Sequence, residues 1–207
     1  ESVNEAQSNL FKNTYINNLK KNIKVLPMTF GDLNKCPLNI LSDFLKSDIY
    51  IVFGSSYIKG ELIDFLVEKR AINIHAGVSP YYRGTDCNFW ALYDDNPHLV
   101  GTTIHLLSKG LDSGPILYHA MSKVKTNPFE YTMSTVKSAF HSLSDRIKDN
   151  SIFKIKPVHQ EKNKEVRYTK SNEFNEEIVK KYLDKEINLN SKKFNNTLLK
   201  DPFFLSE

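Results

Sequence analysis

Ile72-Asn73-Ile74-His75-Ala76-Gly77-Val78-Ser79-Pro80-Tyr81-Tyr82-Arg83-Gly84 begins as an apolar strand and ends in a loop dense with hydrogen-bonding groups. Residues two apart on a strand point to the same face, so Asn73 and His75 present an amide and an imidazole side by side. The amide is a fixed donor and acceptor, while an imidazole with an ordinary pKa of about 6.5 gives or takes a proton near neutral pH. Together they can hold and activate a carbonyl. Pro80 and Gly84 bracket a loop that must turn sharply, and Arg83 adds a cation that cannot be neutralised.

Working upstream, Asp48-Ile49-Tyr50-Ile51-Val52-Phe53 is a continuous apolar run, read as a central strand covered on both faces of a parallel sheet. Gly54 to Gly60 forms the loop at its carboxyl end, and Glu61 to Glu68 is a helix turning Leu62, Phe65 and Leu66 inward. Strand, helix and strand at this spacing make a βαβ unit, and open parallel sheets bind ligands beyond the carboxyl ends of such strands. Both loops therefore face one crevice. Farther upstream, Asn9 to Lys21 carries apolar residues at helical spacing, Ile23 to Leu26 reads as a short strand, and Pro37 opens a helix with Leu38, Leu41, Phe44 and Leu45 on one side.

Downstream, Thr85 or Asp86 can cap a helix through Phe89, Trp90 and Leu92. Val100 to Leu107 and Pro115 to Ala120 are strands joined across Lys109-Gly110-Leu111-Asp112-Ser113-Gly114, the pattern of a hairpin. Asp112 sits in that link, where a carboxylate costs little unless it turns inward. Pro128 to Asn150 is the longest helical pattern and should lie across the sheet. After Ser151 the composition shifts toward Lys, Asn and Glu, with a short strand or arm at Val166 to Thr169 and helices at Asn175 to Tyr182 and Asn188 to Leu199. Phe203-Phe204-Leu205 should pack on the domain or on a second subunit, the latter making a homodimer.

The 207 residues suit one α/β domain, 1–150, with an extension over 151–207. With 40% hydrophobic and 25% charged residues the chain should bury a real core, and a net charge of +4 with lysines spread among acids gives no nucleic-acid footprint. Cys36 and Cys87 offer neither metal spacing nor a disulfide framework, which fits a reducing, cytoplasmic setting. No apolar run approaches the roughly twenty residues that span a bilayer, so no membrane partner is expected. His98, His105, His119, His141 and His159 have no partners visible in the sequence and read as structural.

Asn73-Ile74-His75, the Ser79 to Gly84 loop and the later Gly110-Leu111-Asp112-Ser113-Gly114 turn, in that order, resemble the formyltransferase family, which includes methionyl-tRNA, glycinamide ribonucleotide and sugar N-formyltransferases. The likeness runs from about Asp48 to His119. It implies a Rossmann-like, mostly parallel sheet flanked by helices, 10-formyltetrahydrofolate as co-substrate, a small-molecule amine acceptor and no metal. It also implies roles: Asn73 holds the formyl oxygen, His75 aids the tetrahedral intermediate and Asp112 is the acid beside it. Attack of an amine on a formamide-like carbonyl builds negative charge on oxygen and positive charge on nitrogen, so these residue types suit the chemistry. Gly54, Tyr57, Ile58 and Ile63, with Gly110 and Leu111 opposite, match the pteridine site. Ser79, Tyr81 and Arg83 are the candidates for binding the acceptor.

Family members usually begin with a complete βαβ unit ahead of anything resembling Glu1, so the resemblance implies an N-terminally incomplete chain with one sheet edge exposed. The modest extension after the long helix resembles the sugar-nucleotide N-formyltransferases most, pointing to an amino sugar as acceptor. Two alternatives stand beside this reading: a hydrolase of the same fold that passes the formyl group to water, and a non-catalytic binding or assembly module.

Overall fold

A computed structural model describes residues 2–11, 24–189 and 196–205. Its organising unit is β1 (Ile51–Phe53), α3 (Gly60–Glu68) and β2 (Ile72–His75), a parallel βαβ crossover with Val52 opposite Asn73. Ahead of it lie α1 (Ser2–Phe11) and the single turn α2 (Leu38–Leu41). Apolar residues on α3 at the 3.6-residue period bury Leu62, Ile63 and Leu66 with Leu41 and Ile58. The chain then passes through β3 (Tyr82–Gly84) and α4 (Cys87–Tyr93) to the antiparallel pair β4 (Thr102–Leu106) and β5 (Ile116–Met121).

The five-stranded sheet runs β1, β2, β4, β5, β7, with β7 at Phe203–Phe204. A second, two-stranded sheet joins β3 to β6 (Arg167–Thr169). Two of the four pairings in the larger sheet are parallel and two antiparallel, and the β3–β6 pair is parallel, so the expected, mostly parallel sheet flanked by helices is a mixed one. The 21-residue α5 (Pro128–Lys148) lies across it, begun by Pro128 and by the Asn127 side chain accepting from the N–H groups of Phe129 and Glu130. Ala139 and Leu143 of α5 bury Ile72, Ile74, Ile104 and Tyr118 on one face of the sheet. Alternation then places Asn73 and His75 on the other face.

Several local expectations differ. β1 is the edge of the described sheet rather than a covered central strand: Ile51 and Phe53 are 48% and 47% exposed. An apolar run is compatible with either position, and only pairing decides. Residues 24–26 form no strand, and most of the helix expected over Asn9 to Lys21 falls outside the described residues, the described helix being Ser2–Phe11. Asp86 occupies the cap position of α4 at φ +56° without a capping hydrogen bond from its side chain. Of the helix expected from Asn188 to Leu199, only a turn at Asn196–Leu198 is seen among the described residues.

The segment after α5 is woven into the domain. Ile152 enters the sheet core, Val158 exchanges two backbone bonds with Ile116, and β6 pairs with β3. Tyr182 of α6 (Glu176–Leu183) packs into the cluster containing Trp90 and Tyr82. Arg167 grips Asp94 through two bonds of 2.8 and 2.7 Å and lies over the Trp90 ring. Phe203 pairs with Ala120, so the apolar tail packs on its own domain. Among the described residues no helix is long and apolar enough to cross a membrane.

Candidate active site

Strand register assembles the first wall. Asn73 on β2 stands opposite His105 on β4, and His75 opposite Thr103. His105 Nδ1–H donates to the Leu106 carbonyl at 2.8 Å, which leaves Nε2 as an acceptor for the Asn73 amide at 2.9 Å. Burial pushes the His105 pKa down to about 4, so this ring is neutral and keeps the tautomer that orients Asn73. Read alone in the sequence, His105 had no partner. Its signal was its position in the strand after the hairpin, which becomes informative only once the register is known. His119 is likewise buried, with its pKa lowered to about 4; it donates to Ser79 O and accepts from the Lys200 N–H.

The second wall is the turn carrying Asp112. Its carboxylate accepts from Asn73 Nδ2 at 3.3 Å through one oxygen and from the Gly84 N–H at 3.3 Å through the other. That second oxygen also lies 3.4 Å from His75 Nδ1. His75 Nε2 faces the Tyr82 carbonyl at 3.1 Å, and a carbonyl can only accept, so Nε2 carries a hydrogen. Nδ1 then faces the carboxylate. The three residues singled out in the sequence therefore converge at one end of the turn.

Between the walls lies a crevice of about 360 Å³ at the carboxyl ends of β1 and β2. Asn73, His75 and Asp112 line it, and so do Gly54, Tyr57, Ile58, Ile63, Gly110 and Leu111. Apolar side chains with loop main chain between them suit a flat heterocycle whose edges carry donors and acceptors. The Tyr57 hydroxyl donates to the Lys109 carbonyl, tying the two loops across the opening. Among the described residues no cluster of three or more His, Cys, Asp or Glu could hold a metal.

Ser79, Tyr81 and Arg83 are not on the crevice wall. Ser79 follows Val78 into the core and precedes a cis Ser79-Pro80 bond, its N–H bonded to the Thr103 hydroxyl. Tyr81 is buried, and its carbonyl accepts from the N–H groups of Val166 and Arg167. Arg83 pairs with Glu165 at 2.9 Å and donates to the Leu111 carbonyl at 2.9 Å. In this structure the two terminal nitrogens of Arg83 are thus spent on the Glu165 carboxylate and the Leu111 carbonyl. Cys87 is buried, and desolvation drives its thiol pKa well up, the opposite of what a nucleophile needs.

An α/β sheet with a crevice beyond its parallel strand ends, walled by an amide, an imidazole and a carboxylate, has the groups to hold a polarised carbonyl. The formyl transferase family model matches residues 45–150, and the chain belongs to that family. It is 27% identical over 148 residues to the methionyl-tRNA formyltransferase of Prochlorococcus marinus, covering 71% of this chain and 42% of that protein. It is 33% identical over 105 residues to the mitochondrial formyltetrahydrofolate deformylase 2 of Arabidopsis thaliana, covering 48% of this chain and 29% of that protein. Among solved structures, a formyltransferase from Anoxybacillus kamchatkensis, in complex with UDP-4,6-dideoxy-4-formamido-L-AltNAc and tetrahydrofolate, superposes with a TM-score of 0.51 at 28% identity. That likeness covers 67% of this chain and 70% of that one, whereas the chain spans less than half the length of the curated relatives just described.

Proposed function

We propose that this protein transfers a formyl group from 10-formyltetrahydrofolate to a primary amine of a nucleotide-linked amino sugar. The observation that carries the reading is the convergence of Asn73, His75 and Asp112 at the end of an apolar crevice. The pteridine would lie between the Gly54 to Ile58 loop and the Lys109 to Asp112 turn. The amine nitrogen attacks the formyl carbon, a new C–N bond forms, and the carbonyl electrons move onto oxygen. Asn73 Nδ2 donates to that oxygen; its 3.3 Å bond to Asp112 is longer than its 2.9 Å bond to His105 and is the one an incoming oxygen would replace. His75 lies beside the Asp112 carboxylate, and that carboxylate takes the proton that the attacking nitrogen sheds. The same proton passes from the carboxylate to the folate nitrogen as the original C–N bond breaks.

The amino-sugar acceptor is supported by the Anoxybacillus structure, which this chain covers to 70% of its length with a sugar nucleotide and a folate bound together. The methionyl-tRNA relatives weigh toward a tRNA-borne amine instead, and the deformylase relative toward water as acceptor. One assay separates the three. Purified protein with 10-formyltetrahydrofolate should formylate UDP- or dTDP-linked amino sugars and leave methionyl-tRNA unchanged. Formate released without any amine would establish the hydrolase, and no turnover with any acceptor would overturn the enzyme reading. His75→Ala should abolish transfer while the protein stays folded.

A further inference from the structure

We propose that the segment after α5 is part of the active site, and that Gln160 is a positioning residue that sets the place of Asp112. The inference rests on the transfer reading above and deepens it. Asp112 has φ +46°, a left-handed backbone that a non-glycine residue holds only where its surroundings over-determine it. The Gln160 amide supplies that restraint: its Nε2 donates to the Asp112 carbonyl at 2.8 Å and to the Gly114 carbonyl at 2.8 Å, bracketing Ser113. Both amide hydrogens go to the turn, while the buried Oε1 has no partner. A side chain kept for its donors, at the expense of its acceptor, is placed for the turn it holds.

The neighbours lead the same way. Val158 and Ile116 exchange backbone bonds of 2.7 and 2.9 Å, which fixes Gln160 two residues on beside the base of the turn. On the other side Glu165 holds Arg83, whose second nitrogen grips the Leu111 carbonyl. The turn comes close against β4 at Gly114, where a Cβ would lie 1.7 Å from the Leu106 carbonyl oxygen and only glycine fits. Two residues of the extension thus fix three carbonyls of the turn, those of Leu111, Asp112 and Gly114, the first of them through Arg83. Asp112 touches His75 and Asn73 only while those anchors hold.

The test is Gln160→Met, which keeps the length of the side chain and removes both donors. Displacing a reacting group by about an ångström costs on the order of a hundredfold in rate, so kcat should fall by tens-fold to a hundredfold while KM for the formyl donor changes less than threefold. In parallel, the ring ¹⁵N resonances of His75 should move in the variant, since its partner carboxylate has moved. Wild-type kcat together with unmoved His75 resonances would overturn the inference. If the wild-type protein transfers no formyl group at all, the function reading fails, and the His75 resonances alone decide the role of Gln160. Should Gln160→Met not fold, Gln160→Asn, which withdraws the amide by one methylene, is judged by the same outcomes.

Discussion

The two walls of the crevice are built by different means. On one, Asn73, His75 and His105 stand on paired strands, their spacing set by the sheet and their rings fixed by backbone carbonyls. On the other, Asp112 rides a strained turn that no regular element contains, held by Gln160 from the C-terminal segment and by Arg83 and the Gly84 N–H from β3, before α4. A sheet positions side chains through local periodicity, whereas a turn has to be positioned by whatever packs around it. The site joins a rigid half to a half whose precision is borrowed from the C-terminal segment.

The largest expected effect tests the rigid half. Asn73→Ala removes the donor aimed at the developing oxyanion and should lower kcat about a hundredfold or more, with the fold retained by circular dichroism. A change under tenfold would mean that the oxygen is held from the turn side instead.

Acid pH should expose the same wall. His105 and His119 have folded-state pKa values of about 4, below the roughly 6.5 of an unfolded histidine. Between those values the unfolded chain binds protons that the folded chain refuses, so stability is full above pH 6.5 and falls as pH drops through the window. The loss should approach about 1.4 kcal/mol per pH unit for each ring toward the lower end, levelling off below pH 4. Urea denaturation of the wild type against His119→Gln between pH 7 and 4.5 measures it; parallel curves would remove His119 from the account.

The smallest effect concerns the clasp over the opening. Tyr57→Phe removes the hydroxyl bridge to Lys109, a half-exposed bond worth about 0.5–1.5 kcal/mol, so a folate analogue should bind roughly two- to tenfold more weakly by calorimetry. Unchanged affinity would show that the two loops meet without it.

The sequence carried the βαβ unit, the hairpin and α5, because periodicity and punctuation by Gly and Pro are local signals that survive without a partner. It also carried Asn73 and His75, whose shared face follows from the two-residue repeat of a strand. It did not carry the position of β1 at the edge of the sheet formed by the described residues, since an apolar run reads the same whether or not a neighbour lies beyond it. Nor could it assign His105 or Gln160, or show that Arg83 meets Glu165 and the Leu111 carbonyl. His105 becomes a partner of Asn73 only through the β2 to β4 register, and Gln160 reaches Asp112 across 48 residues. Chain order alone determined which chemical groups this protein possesses and which elements bear them. Only tertiary packing decided which of those groups meet, because a hydrogen bond between distant segments depends on a separation in space that no local pattern encodes.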